Sequence, residues 1–258
     1  MSVYYLVRYV NAMSLFSDPY GALNVWPSSY VAAEELYKLR RQTKLCEGFI
    51  SLELGCGAAL PSIAAITSLG ASHAIATDSE ILPLQMLQKA IGRHHESKLT
   101  TQTLDLHHLQ CLYDKTSSTS SPPTHTLQKM TSMTSDVEVD CCIASDLLYA
   151  KETAERVALF LSEKYTQSKG RCQLIVTTPK EGRRGRDHFL KTFVESVKSF
   201  DSEQYANFKA HFEDCLAPEW MSEDCVDGFD GCKIESISVL RYGSIRWNVL
   251  DTNEKGNV

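Results

Sequence analysis

Short apolar runs alternate with longer amphipathic runs along most of the chain. The short runs have a length and an apolar composition typical of buried strands, and they cover about 49–54, 72–77, 101–106, 137–145 and 172–177. Apolar positions recur at helical spacing before, between and after them, over about 28–42, 60–69, 81–96, 152–165 and 187–200. Because strands and helices alternate, the pattern predicts an α/β protein built on a parallel sheet.

The two ends of the chain carry further strand patterns. Residues 3–7 are apolar and predict an extra strand, and Arg8 within that apolar start argues against a signal peptide. Near the other end, apolar runs at 234–242 and 245–250 flank Gly243-Ser244, which predicts a C-terminal antiparallel hairpin.

A glycine loop follows the first predicted strand. Gly55 and Gly57 allow the backbone to approach a ligand closely, because glycine has no Cβ and tolerates a positive φ. Asp78 ends the next strand about twenty residues later, a spacing that suits hydrogen bonds to ribose hydroxyls. The loop therefore predicts a nucleotide site; a tight turn without a ligand is the alternative.

The residues around this loop indicate which nucleotide binds. A dinucleotide loop usually has a third glycine, where this chain has Leu60. Glu53 precedes the loop, and its carboxylate would repel a pyrophosphate but attract an amino group. S-adenosylmethionine (SAM) carries an ammonium and a sulfonium and no phosphate. The sequence therefore points to SAM as the cofactor.

Three segments carry a resemblance to known enzymes. Glu53–Gly57 resembles the first motif of class I, seven-β-strand, SAM-dependent methyltransferases. Val25–Ser29 resembles the tryptophan motif of the family 16 protein-lysine methyltransferases, and Ala144–Tyr149 resembles their Asp-x-x-Tyr motif. The resemblance implies a Rossmann-like seven-stranded sheet with helices on both faces and a C-terminal antiparallel hairpin.

The same resemblance implies an activity. A protein with these motifs is expected to be a SAM-dependent N-methyltransferase that transfers a methyl group to a protein side-chain nitrogen, with lysine favoured. A protein-arginine methyltransferase and a small-molecule N-methyltransferase remain open. A non-catalytic SAM-binding protein is a third possibility, because Ala58-Ala59 replace the usual Gly-Thr-Gly or Gly-Thr-Ser ending of the loop.

The candidate site residues lie at or near predicted strand ends, where open α/β sheets bind their ligands. Asp78 is expected to bind the ribose, and Asp105 and Leu106 are expected to bind the adenine. Glu53 is expected to lie near the methionine ammonium of the cofactor. The full set of candidate cofactor-binding residues is Trp26, Glu53, Gly55, Gly57, Asp78, Asp105, Leu106 and Ser145.

Asp146 and Tyr149 are the candidate catalytic residues. Asp146 is expected to hold the incoming amine or the cofactor's ammonium, and Tyr149 is expected to present its ring face to a cation. Structural roles are the alternatives: a helix cap for Asp105 and Asp146, and core packing for Trp26 and Tyr149.

Composition narrows the partners. The net charge is −6, which argues against non-specific nucleic-acid binding. The partner that the resemblance implies is a protein substrate, and the acidic chain would suit a basic one. The nine cysteines have no Cys-x-x-Cys pair, and the adjacent histidine pairs lack metal-ligand spacing, so no metal is expected. No run is apolar enough for a membrane helix. Reduced thiols suit a cytoplasmic location, with the nucleus as a second one.

The chain is predicted to be a single domain spanning 1–258. Residues 1–48 form an N-terminal extension, and the Ser/Thr/Pro-rich stretch at 114–137 predicts a disordered insertion. Residues 201–231 contain nine acidic residues and one lysine. This segment is interpreted either as a solvated insertion or as an acidic rim that attracts a basic peptide.

Overall fold

The computed structural model describes residues 25–91, 95–106, 138–215 and 237–244. Within these ranges there are five α-helices, seven strands and one 3₁₀ turn at Glu96–Lys98. The helices are α1 Pro27–Arg41, α2 Leu60–Ser68, α3 Ile81–Ala90, α4 Lys151–Gln167 and α5 Arg186–Phe200. The strands are β1 Ile50–Leu54, β2 His73–Asp78, β3 Leu99–Thr103, β4 Cys141–Ser145, β5 Gln173–Pro179, β6 Phe208–Asp214 and β7 Ile237–Ser244.

All seven strands form one sheet in the order β3-β2-β1-β4-β5-β7-β6. The first five strands in that order run parallel, while β7 is antiparallel to both β5 and β6. From β1 to β3 the chain adds strands toward one edge of the sheet, and from β4 onward it adds them on the other side of β1. The carboxyl ends of β1 and β4 therefore form a switch point, where ligands bind in such folds. The predicted seven-stranded α/β fold is confirmed.

Helices cover both faces of this sheet, and the alternation of side chains along the strands explains why. In β4, Cys142 and Ala144 pack in the cluster that contains α4 and α5, while Cys141 and Ile143 pack with α1 and α2. Ala76 of β2 lies on the second face, against α2 and α3. A strand buried on both sides reads as one apolar run, as the sequence indicated.

The antiparallel pair at the C-terminal end uses different residues from those predicted. Strand β7 continues through Gly243, so the predicted turn at Gly243-Ser244 is wrong, and its partner is β6. Strand β6 lies in the acid-rich segment, where buried Phe208 and the partly buried Ala210 and Phe212 alternate with exposed polar side chains. That period of two defines a strand with one face on the core.

Other element boundaries differ, and some predictions fall outside the described residues. Strand β3 covers 99–103 instead of 101–106, β4 begins at Cys141 instead of 137, and α3 ends at Ala90 instead of near 96. The segments predicted at 3–7, 114–137 and 245–250 lie outside the described ranges. Among the described helices, none is both long and apolar enough to cross a membrane.

Candidate functional site

The loop between β1 and α2 is built from left-handed backbone conformations. Gly55 and Gly57 have φ of 56° and 47°, and Ala59 has φ of 55° although it carries a Cβ. The Cys56 N–H donates to the carbonyl of Thr77 at 2.8 Å, and the Thr77 hydroxyl donates to the carbonyl of Glu53 at 2.8 Å. The loop is therefore tied to the end of β2, the strand that carries Asp78.

The Asp78 side chain also connects the end of β2 to the glycine loop. Its Oδ2 accepts the N–H of Gly57 at 2.9 Å, and its Oδ1 accepts the N–H of Glu80 at 3.0 Å. The side chain is nearly buried, with 8% of the residue exposed. Each carboxylate oxygen has two lone pairs, so both oxygens can accept one more hydrogen bond.

Glu53 lies beneath the loop and is completely buried. Its Oε2 accepts the N–H of Ser62 at 2.9 Å and the Ser62 hydroxyl at 2.5 Å, while its Oε1 has no hydrogen-bond partner. Since Ala59 gives α2 no side-chain cap, Glu53 supplies a carboxylate to the first turn of that helix. Burial raises the pKa of Glu53 to about 7, which the hydrogen bonds from Ser62 oppose.

A shallow cleft, open to solvent, lies at the carboxyl ends of β1 and β2, and the cavity volume between its walls is about 50 Å³. Four of the predicted site residues line it, namely Gly55, Asp105, Leu106 and Tyr149. The remaining lining residues were not predicted, and they are Leu54, Thr77, Ser79, Leu104, Leu147 and Thr153. A concave wall of leucines with a few polar groups is the usual composition of a small-molecule site.

The other predicted residues surround the cleft without lining it. Glu53, Gly57 and Asp78 form the loop and its support. Asp146 follows β4 with a left-handed φ of 58°. Ser145 belongs to the contact between α1 and the sheet, and Trp26 is the residue directly before α1.

This contact fixes the start of α1 over the strand ends. The hydroxyls of Ser29 and Ser145 are 3.2 Å apart, and the Thr177 hydroxyl donates to the carbonyl of Ser28 at 2.8 Å. Trp26 is half-buried and precedes Pro27, the first residue of the helix. Ser145 is thus used to hold α1, and the tryptophan motif lies next to the ends of β4 and β5.

Asp146 has a partner that the sequence analysis missed. Its two carboxylate oxygens accept hydrogen bonds from Nε and Nη2 of Arg183 at 2.7 and 2.8 Å, which is a bidentate ion pair. Burial raises the pKa of Asp146, and the Arg183 guanidinium opposes this rise. Arg183 lies in the basic loop after β5, which the sequence alone shows only as a solvated run of charges.

Leu147 forms the next part of the same turn and packs directly on the glycine loop. A Cβ added to Gly55 would lie 2.4 Å from Cδ2 of Leu147, so only glycine allows this packing. Tyr149 follows with 53% of its surface exposed at the mouth of the cleft. Within the described ranges, no group of three or more potential metal ligands comes together.

Comparisons with known proteins identify the fold. No protein-family model matches the sequence, and no curated protein matches it. A Pyrococcus horikoshii protein assigned as an RNA methyltransferase matches at 14% identity with a TM-score of 0.50, over 96% of this chain and 100% of that one. The chain thus has a class I methyltransferase fold; an identity this low shows the fold alone.

Two further methyltransferase structures are similar at lower TM-scores. One is the methyltransferase bound to the Haloferax volcanii activator Trm112, at 11% identity and a TM-score of 0.46, over 92% of this chain and 96% of that one. The other is the magnesium protoporphyrin IX methyltransferase of Synechocystis PCC 6803, solved with bound SAH, at 12% identity and a TM-score of 0.43. That match covers 84% of this chain and 83% of that one.

Proposed function

We propose that this chain is a SAM-dependent methyltransferase that transfers a methyl group to a protein side-chain nitrogen, with lysine as the favoured acceptor. The observation that carries the proposal is the hydrogen bonding of the glycine loop. Three backbone N–H groups at the loop and the start of α2, those of Cys56, Gly57 and Ser62, donate to protein oxygens, two of them on carboxylates.

A phosphate site needs the opposite arrangement. Where a glycine loop holds a phosphate, its N–H groups and the helix N-terminus point at the ligand. Here the side chains of Asp78 and Glu53 take two of those N–H groups and place two acidic groups at the loop. A phosphate-bearing nucleotide would be repelled, whereas a cofactor with cationic groups would be attracted. This arrangement supports SAM over a dinucleotide.

The residues present fit SAM. Oε1 of Glu53 is a buried carboxylate oxygen without a partner, which suits the environment of an ammonium group. Asp78 retains lone pairs for ribose hydroxyls, and Asp105 lies in the cleft wall with Leu104 and Leu106, where an adenine would pack. When bound, SAM supplies a methyl group on a sulfonium, a leaving centre that needs no metal.

The acceptor side of the proposal depends on the turn after β4. The exposed ring of Tyr149 lies at the cleft mouth and can hold a cationic side chain near it. Asp146 is already engaged by Arg183, so contact with an incoming amine falls first to Tyr149. The resemblance of the tryptophan and Asp-x-x-Tyr motifs supports a protein acceptor. The proposal also includes that the chain is a single domain and that it acts in the cytoplasm or the nucleus.

Arginine and small-molecule acceptors are distinguished from lysine by one experiment. Purified protein is incubated with methyl-labelled SAM and cell lysate, and labelled protein is hydrolysed to its amino acids. Labelled methyl-lysine is expected. Labelled methyl-arginine would change the acceptor, label confined to small molecules would exclude a protein acceptor, and an absence of transfer by a protein that binds SAM would support the non-catalytic alternative.

The matched controls use two neighbouring carboxylates. Asp78→Ala removes the loop support and the expected ribose contact, and it should abolish most of the transfer. Glu80→Gln changes an exposed side chain next to it and should leave transfer at the wild-type level. Equal transfer by both variants would separate the activity from this site.

A further inference from the structure

The loop after β5 docks on the turn after β4, and Arg183 is at the centre of this contact. The guanidinium forms both of its hydrogen bonds to one carboxylate, that of Asp146, whose side chain is only 6% exposed. Arg183 itself is 26% exposed. A paired fork of this kind fixes orientation as well as distance, because both N–H groups must stay in the carboxylate plane.

Gly185 makes the second part of the contact. Its N–H donates to the carbonyl of Leu148 at 3.2 Å. A Cβ at position 185 would lie 2.6 Å from the Ala150 carbonyl oxygen and 2.6 Å from Cβ of Ala154. The two loops therefore touch through backbone, and the Arg183 fork closes an interface that is already tight.

The turn held in this way begins with an unusual backbone conformation. Asp146 has φ of 58°, which is costly for a residue with a Cβ and needs support from its surroundings. That support comes from the Asp146 N–H, which donates to the carbonyl of Thr177 at 2.9 Å, and from the ion pair to Arg183. The conformation directs the chain so that Leu147 reaches Gly55 and Tyr149 reaches the cleft mouth.

We propose that Arg183 is a positioning residue for the cofactor cleft. It acts through Asp146 to hold the turn 146–150, and the turn places Leu147 and Tyr149 in the cleft wall. The inference rests on the proposed function, because the cleft is taken to hold SAM or its product S-adenosylhomocysteine (SAH). It adds that a residue outside the cleft sets the affinity for that ligand.

The test compares three variants of the full chain. Arg183→Gln removes the charge and the fork, Arg183→Lys keeps the charge without the fork, and Arg184→Gln changes the exposed neighbour in the same loop. The dissociation constant for SAH is measured by calorimetry. Hydrogen exchange, followed by mass spectrometry, reports on the turn 146–150 and on β1 without any ligand.

Arg183→Gln is expected to weaken SAH binding by about tenfold, a typical effect of a residue that couples to a site through its neighbours. Exchange in the turn 146–150 should accelerate, while exchange in β1 stays the same. Arg183→Lys should lie between Arg183→Gln and the wild type, because an ammonium cannot form the fork. Arg184→Gln should match the wild type in both measurements.

Two failures can be told apart. If the wild type does not bind SAH, the proposed function fails and this inference fails with it. If the wild type binds SAH and Arg183→Gln binds it equally well, only this inference is overturned. Should Arg183→Gln not fold, as shown by the loss of a cooperative urea transition, Arg183→Lys decides: wild-type affinity with wild-type exchange in the turn overturns the inference.

Discussion

Replacement of Glu53 by glutamine tests the group of the site whose pKa burial shifts most clearly. Glu53 is fully buried, and one of its carboxylate oxygens has no partner. Burial raises its pKa from 4.5 to about 7. Glutamine has nearly the same shape and keeps a carbonyl oxygen that can accept the two hydrogen bonds of Ser62, while an amide NH2 takes the place of Oε1. Because glutamine does not titrate, the pH dependence of the difference between the two proteins reports the charge of Glu53.

The size and sign of the effect follow from the pKa. One pH unit of difference corresponds to about 1.4 kcal/mol, so a rise from 4.5 to about 7 amounts to about 3 kcal/mol. Below pH 4.5 the carboxyl group is protonated in both states. Between pH 4.5 and 7 the unfolded chain loses the proton first, so the folded wild type loses stability as the pH rises. Above pH 7 the full loss is present.

The assay is urea unfolding of both proteins at several values between pH 4.5 and 8. Other titrating groups are shared, so they cancel in the difference between the two free energies of unfolding. We expect Glu53→Gln to gain about 3 kcal/mol on the wild type across this range. Glu181→Gln, which replaces a carboxyl group at an exposed loop position, is measured alongside as the matched control.

One result would refute the reasoning. If the difference between Glu53→Gln and the wild type does not change from pH 4.5 to 8, the Glu53 carboxyl titrates as it would in water. Glu53 would then not be the fully buried carboxyl group beneath the loop that the structure shows, and its proposed place beside the cofactor's ammonium would lose its structural basis.

Three further predictions concern the same site. Asp78→Ala should weaken SAM binding by about 1–3 kcal/mol, because charged hydrogen bonds are lost; wild-type affinity in calorimetry would remove Asp78 from the site. Gly55→Ala should lower the free energy of urea unfolding by about 1–2 kcal/mol or more, since φ is 56° and Leu147 blocks the new Cβ; unchanged stability would contradict this packing. Tyr149→Ala should change stability by less than about 0.5 kcal/mol but reduce methyl transfer to the protein acceptor, and equal turnover would exclude Tyr149 from the acceptor site.

The sequence allowed the central part of the fold to be predicted because its strands are buried on both faces. Such strands appear as continuous apolar runs, and the predicted positions of β1, β2 and β5 differ from the observed ones by at most two residues at each end. The residues that end these strands follow directly. Asp78 and Gly55 could be placed at the same sheet edge from chain order alone, since parallel strands end on one side.

Strand β6 could not be recognised so easily. Its inward residues are Phe208, Ala210 and Phe212, but they are separated by polar side chains and lie among many acidic residues. Composition indicated a solvated segment, while the period of two was too short to outweigh it. The turn predicted at Gly243-Ser244 was wrong because two adjacent small residues are also compatible with a strand that continues through them.

The partners of the site residues could not be predicted from their spacing. Arg183 is separated from Asp146 by 37 positions, and in the sequence it is one of several basic residues in a loop. Glu53 was expected near an ammonium, whereas the structure shows that it also supplies the first turn of α2 through Ser62. Such pairings depend on where loops approach each other, which local patterns do not encode.

The most direct test of the central claim is calorimetric titration of the wild-type chain with SAH, and with ATP and NAD as phosphate-bearing controls. A loop whose N–H groups are taken by Asp78 and Glu53 should bind SAH at one site and show no binding of either phosphate-bearing nucleotide. Binding of ATP or NAD in place of SAH would contradict the account.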